Sequence, residues 1–574
     1  MPYHSRADKF KAVADATDRR PGDEVTLPYD SLLAEVLLEE LAQEDLARPL
    51  AAPLHMAWRR GGRLLHETWQ QAETLRNALA ALSQEAPDGA ESALLCLPLD
   101  CWSVAETAWH GVFADAQRGI LGLGLACEGW RDWLAPTQLV ASNRNFSRGL
   151  EHRLAARGLD LPAFRGQGGR LSAFTARQIL VHLGREPHCQ GLLRGNRVRA
   201  LPEKLDTMLE EAAGWLLRQQ RPDGSLAYKY WPSRGEGSTT NNTIRQFMAS
   251  LALIDWASYR GRAPLLVAAT RSLEANLEAF LRHEGDLAVI EHEGKAKLGA
   301  AALAALCLLR HPDRAAYAAE RRALERGIAK LWQADGSFRT FHRPADRNDN
   351  QNFYPGEALY YWSERLRGEP DDALSEAVSR SLDHYRRFHR RAPNPAFVPW
   401  HSLALAGLDP SPARSRYLFA MNDWLVGLQQ WESAPHRDMA GRFYAPEHPD
   451  YGPPHASSTG VYIEGLAAAF SVAERLGDRA RAARYATAVW RGLRSLRQLQ
   501  FLDESDCFYV SKRDRVLGGL RSEVYDNTLR IDNTQHALAA LLAVARQPAL
   551  LAARPAPSAL EPPDKSSAAG FASQ

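Results

Sequence analysis

The residues of this chain best suited to chemistry are polar groups set into the first turns of otherwise apolar segments. The stretch "STTNNTIRQFMASLAL" at 238 to 253 places Asn241, Asn242, Arg245 and Gln246 ahead of a plain apolar run, where a helix start needs only one capping side chain. The pattern recurs. Lys295 and Lys297 lead into "LGAAALAALCLL", Asn350, Gln351, Asn352, Tyr354 and Glu357 lead into "ALYYW", and Trp400, His401 and Ser402 sit in "PWHSLALAGL". Ser458, Thr459, Tyr462 and Glu464 fall in "SSTGVYIEGLAAAF", and Asp532, Asn533, Gln535 and His536 in "DNTQHALAALLAVA". Leaving so many buried donors and acceptors unpaired costs about 1–3 kcal/mol each. They must satisfy one another or face a polar ligand. Amides, Tyr, Trp, Arg and carboxylates together suit a sugar, whose hydroxyls donate and accept and whose ring faces stack on aromatics.

Six of these groups are candidate acids and bases: His401, His536, Glu357, Glu464, Tyr462 and Asp532. A pair of carboxylates across a cavity can hydrolyse a glycoside, one as acid and the other as nucleophile or base. A histidine pair can instead take a proton from one face of a sugar and return it to the other. The substrate-binding set is Asn241, Asn242, Arg245, Gln246, Asn352, Tyr354, Trp400 and Gln535. Among them Arg245 has the fixed donors to hold a carboxylate or stabilise an enediolate.

Bringing these residues to one place requires their helices to converge, and from about residue 200 two kinds of helical segment alternate. Amphipathic, charged segments such as "LDTMLEEAAGWLLRQQ" and "ALSEAVSRSLDHYRRFHRR" have the single wet face of surface helices. Short segments such as "KLGAAALAALCLL" and "GVYIEGLAAAFSVAERL" are apolar almost all round, as buried helices are. Six of each, in strict alternation, predict a mainly α chain with a C-terminal (α/α)6 toroid over 196–548, its inner ring built from Ala, Gly, Leu and Ser. An open α-solenoid is the alternative, but its repeats are tighter and lack long polar connections. A smaller α+β domain is predicted over 50–195, with a hairpin turning at Gly61-Gly62 and strands in "SALLCLPLDCW" and "RGILGLGLACEGWRDWLAP". Its Trp102, Trp109, Trp130 and Trp133 fit a core better than a ligand groove. Residues 1–49 read as a helical extension, and the Pro, Ala and Ser-rich 549–574 as a disordered tail.

Several motifs carry family resemblances. Outer segments end in "LLRQQRPDGSL", "AKLWQADGSF", "LVGLQQWESAPHRDMAGRF" and "LRQLQFLDESDCF", which resemble the QW-type repeats of α/α-toroid proteins such as terpenoid cyclases and several polysaccharide-acting enzymes. The set "NNTIRQFMAS", "FYPGEALYYW", "PWHSLAL" and "NTQHALAALL" looks like the N-acylglucosamine 2-epimerase and cellobiose epimerase superfamily. That resemblance implies Arg245, Glu357, His401 and His536 as catalytic or substrate-binding groups. It departs from that superfamily after the fourth-helix His, where the usual acidic residues are lacking. The smaller domain is similar to AMMECR1-type domains in its succession of hairpin, helix and "GILGLGLA" strand, without their intact Arg-Gly-Cys signature.

Composition narrows the classes. Lys and Arg number 70 against 68 Asp and Glu, so no global field draws the chain to nucleic acid or an anionic membrane. The six cysteines include no CxxC pair, which argues against a zinc site or a disulfide framework. No Walker or Rossmann glycine pattern precedes a helix, and no terpene-cyclase acidic cluster is present. No metal and no cofactor is therefore expected. The N-terminus is charged throughout and no long uncharged apolar run occurs, so a cytoplasmic protein without a membrane span is expected. The resulting expectation is an enzyme acting on a sugar or polysaccharide end by acid/base chemistry, as an epimerase, isomerase or lyase, or as a hydrolase. The alternative is a non-catalytic glycan-binding or polysaccharide-biosynthesis accessory protein, with the α+β domain docking a protein partner.

Overall fold

The computed structural model describes residues 48–82, 87–182, 190–191 and 199–563. All but the last two residues of the expected N-terminal extension lie outside these. Two compact units are present: residues 1–198 together with 503–513, and residues 199–502 together with 514–574.

In the first unit, β1 (Leu54–Arg60) and β2 (Arg63–Gln70) form the hairpin about Gly61 and Gly62. With β3 (Ser92–Val104), β4 (Leu121–Cys127), β5 (Trp130–Leu134), β6 (Arg170–His182) and β7 (Gln190–Gly191) they make an antiparallel sheet in the order β2-β1-β3-β6-β4-β5, with β7 beside β6. Helix α1 (Leu75–Leu82) closes one core through Leu75, Ala78 and Leu82 against Leu54, Met56, Trp58 and Leu95. Helices α2 (Pro136–Ala141), α3 (Phe146–Ala155) and α4 (Leu161–Gly166) close another with β4 and β6. Trp102, Trp109 and Trp130 pack against that second core, and Trp133 packs beside Phe174.

The second unit is the toroid. Its outer helices are α5 (Asp206–Arg218), α7 (Ala263–Phe280), α9 (Ala318–Leu331), α11 (Asp372–Arg391), α13 (Pro412–Gly427) and α15 (Arg479–Leu499). Its inner helices are α6 (Thr243–Arg260), α8 (Leu298–Arg310), α10 (Tyr354–Gly368), α12 (Phe397–Ala406), α14 (Ala456–Arg475) and α16 (Ile531–Ala545). Each inner helix packs on the next, and α16 packs back on α6, so the ring closes. An open solenoid is thereby excluded. Small side chains permit this closeness: α8 buries every residue from Leu298 to Leu308, a stretch with five alanines and a glycine. Polar caps start many of these helices, with Asn242, Asp371, Ser411 and Asp478 each accepting a backbone N–H three residues on. Short strands join the rings: β8 (Lys229–Trp231), β9 (Glu236–Gly237), β10 (Leu281–Glu284), β11 (Leu287–His292), β12 (Lys295–Lys297), β13 (Phe341–Arg343), β14 (Arg521–Glu523) and β15 (Asp526–Arg530). They form two four-stranded sheets, β10-β11-β12-β13 and β14-β15-β8-β9. No helix of the described residues is long and apolar enough to cross a membrane.

The glutamine turns tie the outer ring together. Gln220 Nε2 donates to Gly224 O in its own turn and, at 2.9 Å, to Ala268 O on the next outer helix. Gln429 does the same to Gly441 O and Ala488 O, and Gln500 to Gly518 O and Met208 O. The turn glycine sits at positive φ against a carbonyl three residues further along that neighbour, so Gly441 at φ 94° would place a Cβ 2.1 Å from Arg491 O. In the remaining turn of this kind Trp332 takes the position of the glutamine, pairing with Phe338 and donating from Nε1 to Ser381 Oγ.

Residues 549–563 of the expected disordered tail carry defined structure, and 564–574 lie outside the described residues. Helix α17 (Pro548–Ala552) buries Leu550, whose carbonyl accepts from Trp490 Nε1 at 3.2 Å, and Leu560 is buried beyond it. Two spaced leucines are enough to dock a segment whose composition is otherwise that of a linker.

Candidate active site in the toroid

The inner helices point their N-termini to one end of the ring, and a cavity of about 400 Å³ lies there. Its wall takes residues from the starts of five inner helices: Asn242 and Arg245 from α6, Tyr354 and Glu357 from α10, Trp400 from α12, Ser457, Ser458 and Tyr462 from α14, and Asp532, Gln535 and His536 from α16. Loops add Phe353, Phe443, Tyr444, Tyr451 and His455.

Two carboxyl groups in this wall have opposite environments. Glu357 is 2 % exposed and its Oε2 has no hydrogen-bond partner among the described residues. Burial pushes it up from 4.5 to about 8, opposed by the Lys297 ammonium, so it is a neutral acid at neutral pH. The facing residue on α8 is Gly299, where a Cβ would stand 1.9 Å from Glu357 Oε2. Asp532 differs. Burial alone would raise its carboxyl, but the Arg245 and Arg530 guanidinium groups outweigh this and hold it below its ordinary value. Arg245 Nε donates to Asp532 Oδ2 at 2.6 Å, Arg530 Nε donates to Oδ1 at 2.9 Å, and Arg530 Nη2 also donates to Oδ2. Arg245 Nη1 donates to the Tyr228 hydroxyl at 2.6 Å. A carboxylate spanned by two guanidinium groups is a poor nucleophile, and its role here is to fix Arg245.

His536 is oriented from behind. Its Nδ1 lies 2.8 Å from Glu464 Oε1, and Glu464, buried and raised by that burial against the pull of His536, stands outside the cavity wall. The pairing occupies Nδ1 and leaves Nε2 for the cavity. Gln535, 1 % exposed, has neither amide atom partnered among the described residues. Tyr462 packs edge-on to Phe443, and burial raises its hydroxyl.

Five residues predicted for the site are not in its wall. Glu464 lies behind His536, as described. His401 is 1 % exposed and stacks on Phe397 with ring centroids 3.6 Å apart, on the side of α12 that meets α11. Burial holds it well below its ordinary value, so it is a neutral core ring. One residue along a helix turns a side chain by about 100°, which is why Trp400 faces the cavity and His401 does not. Gln246 is fully buried and binds Leu226 O and Asn241 Oδ1 through Nε2, so it and Asn241 hold the preceding turn. Asn352 is not among the cavity residues and its Oδ1 is buried.

His455 gives no signal in the sequence, because it precedes its helix in "YGPPHASS" and resembles loop. It is the N-cap of α14: Nδ1 accepts from Ser458 N at 3.0 Å, placing the proton of the neutral ring on Nε2. Burial first, then Arg530, lower it to about 4. Arg530 and Tyr228 give none for the same reason, lying on or beside the short strands before α6 and α16. Among the described residues no three His, Cys, Asp or Glu side chains are grouped to hold a metal ion.

No protein-family model and no curated protein matches this chain. Among solved structures it is similar to the alpha-1,6-mannanase of Salegentibacter sp. HEL1_6, 11% identical over 60% of this chain and 99% of that one, TM-score 0.43. It is also similar to a D-mannose isomerase, 10% identical over 60% and 97%, TM-score 0.44. A third is the cellobiose 2-epimerase from Bacillus thermoamylovorans B4167, 8% identical over 58% and 97%, TM-score 0.44. By its own closed ring the second unit is an (α/α)6 toroid, joined in one chain to a smaller, sheet-based unit.

Proposed function

We propose that the toroid is a carbohydrate-active enzyme working by proton transfer, as a sugar isomerase, epimerase or lyase. The observation that carries this reading is the pair Glu357 and Gln535. Both are buried in a cavity wall with polar atoms unpartnered among the described residues, a cost that a hydroxyl-bearing ligand can offset by drawing these side chains toward the cavity. Phe353, Tyr354, Trp400, Tyr444 and Tyr451 offer ring faces and edges for the apolar sides of a sugar. The chemistry follows from the two protonation states. His536 Nε2, steadied by Glu464, takes a proton from the carbon next to a sugar carbonyl. Glu357 donates its proton to the carbonyl oxygen as the enediol forms. His536 returning the proton to the former carbonyl carbon, while the other enediol hydroxyl gives its proton to the Glu357 carboxylate, gives isomerisation; a solvent proton reaching the opposite face of the first carbon, while the first hydroxyl returns its proton to Glu357 and His536 releases its own to solvent, gives epimerisation. Hydrolysis is less well served, since Asp532 is held by two guanidinium groups.

Proton NMR of a panel of reducing sugars in D2O tests this. The expected result is solvent deuterium at the carbon next to the carbonyl with wild-type protein, lost in Glu357→Gln and His536→Asn. Sugars that bind but never exchange or convert would favour a non-catalytic glycan-binding protein.

A further inference from the structure

The positive charge at the α6 and α16 end of the cavity exceeds what its carboxylates neutralise. Arg245 is pinned at two of its three nitrogens, Nε by Asp532 and Nη1 by Tyr228. Among the described residues its Nη2 meets no acceptor, and the side chain remains 32% exposed in the cavity wall. Arg530 shares the same single carboxylate. Lys229 Nζ sits 4.9 Å from the centre of the Tyr228 ring, over which Arg245 also lies at 5.3 Å. Lys297 caps α8 and feels Arg245 and Glu357. Arg245, Arg530 and Lys229 therefore gather about Asp532 and, near Lys229, Asp526, with Lys297 on the far side of Arg245 toward Glu357. Glu357, which would otherwise balance them, is uncharged at neutral pH. The starts of the inner helices add their partial positive charge from the same side.

We infer that the substrate is an anionic sugar carrying a carboxylate, a uronic acid or a chain ending in one, with the carboxylate on Arg245 Nη2. One singly charged group suits the site because a single guanidinium nitrogen is left over, in a fork already fixed in direction before the ligand arrives. The gathered cations then act at a distance, favouring an anion without touching it. The assignment rests on the carbohydrate reading above and sharpens it.

Isothermal titration calorimetry with D-glucuronate and D-mannuronate, their neutral counterparts D-glucose and D-mannose, and D-glucose 6-phosphate tests it. A uronate is expected to bind tighter than its neutral counterpart, and raising the salt concentration is expected to weaken the uronate alone. Arg245→Gln is expected to weaken the uronate roughly ten- to hundred-fold, the loss of one charge-assisted hydrogen bond, and to weaken the neutral sugar less, so that the preference for the uronate narrows. Should that variant misfold, the salt dependence of the wild type decides alone. Equal or tighter binding of the neutral sugar, or a preference for the phosphate, overturns the carboxylate assignment and leaves the carbohydrate reading standing. Binding of none of the five sugars removes both.

Discussion

Replacing Glu357 with Gln separates what this residue does for chemistry from what it does for stability. In the unfolded chain the carboxyl ionises at its ordinary 4.5, and in the folded protein only near 8. The folded state therefore holds the proton throughout the interval, and the stability it confers is complete below 4.5 and lost as pH rises through 8. At 1.36 kcal/mol per pH unit, wild type loses about 3.5 kcal/mol from this one group between pH 5 and pH 8. Glu357→Gln cannot ionise, so this loss is absent from the variant. Whatever fixed cost the amide incurs against Gly299 and Lys297 is the same at every pH. Thermal or urea unfolding of both proteins across pH 5 to 8 gives the difference, in which every other titrating group cancels. The expected result is a stability gap that moves in favour of Glu357→Gln by about 3.5 kcal/mol as pH rises, together with loss of turnover at every pH. A gap that stays constant, or moves the other way, refutes the argument that burial keeps this carboxyl protonated.

Other outcomes follow from the same geometry. Glu464→Leu removes the acceptor that orients His536 Nδ1 and is expected to lower kcat by roughly 10²-fold or more with little change in KM, measured on whichever sugar the panel identifies. His389, stacked on Phe397 and lowered by burial to about 4, must charge in acid. Stability is therefore full above 6.5 and lost as pH falls toward 4, by about 3 kcal/mol, and His389→Phe is expected to flatten the acid limb of an unfolding titration. Gln429→Leu removes the bonds its Nε2 gives to the carbonyls of Gly441 and Ala488 and is expected to cost about 1–3 kcal/mol in urea unfolding without altering ligand affinity.

The ring was legible because its two helix types differ in composition around the whole helix axis. Segments like "LGAAALAALCLL" have no wet face, and only a closed inner ring buries six of them. The polar starts were legible too, since Asp532, Gln535 and His536 stand against an apolar background. What a sequence cannot show is the rotation of each helix about its axis. Trp400 and His401 are neighbours of equal promise, and the choice between them is made by Phe397, Tyr385 and the α11 packing. Likewise Tyr462 reaches the wall while Glu464, two residues on, lies behind it. Groups delivered by strands and loops, such as Arg530 and His455, carried no periodic signal at all. Their roles come from the closing of the ring, which brings the residues around 530 against those around 245.

The stretch 503–513 bears on how the chain is made. It leaves the toroid just after Gln500, returns before Gly518, and belongs by its packing to the sheet-based unit, where Val510 O sits so close to Gly62 that a Cβ there would fall 2.0 Å away. During synthesis the sheet emerges first but lacks this piece until most of the toroid has also been translated. The smaller unit is thus finished late, almost together with the larger, and no single cut in the gene releases either one whole.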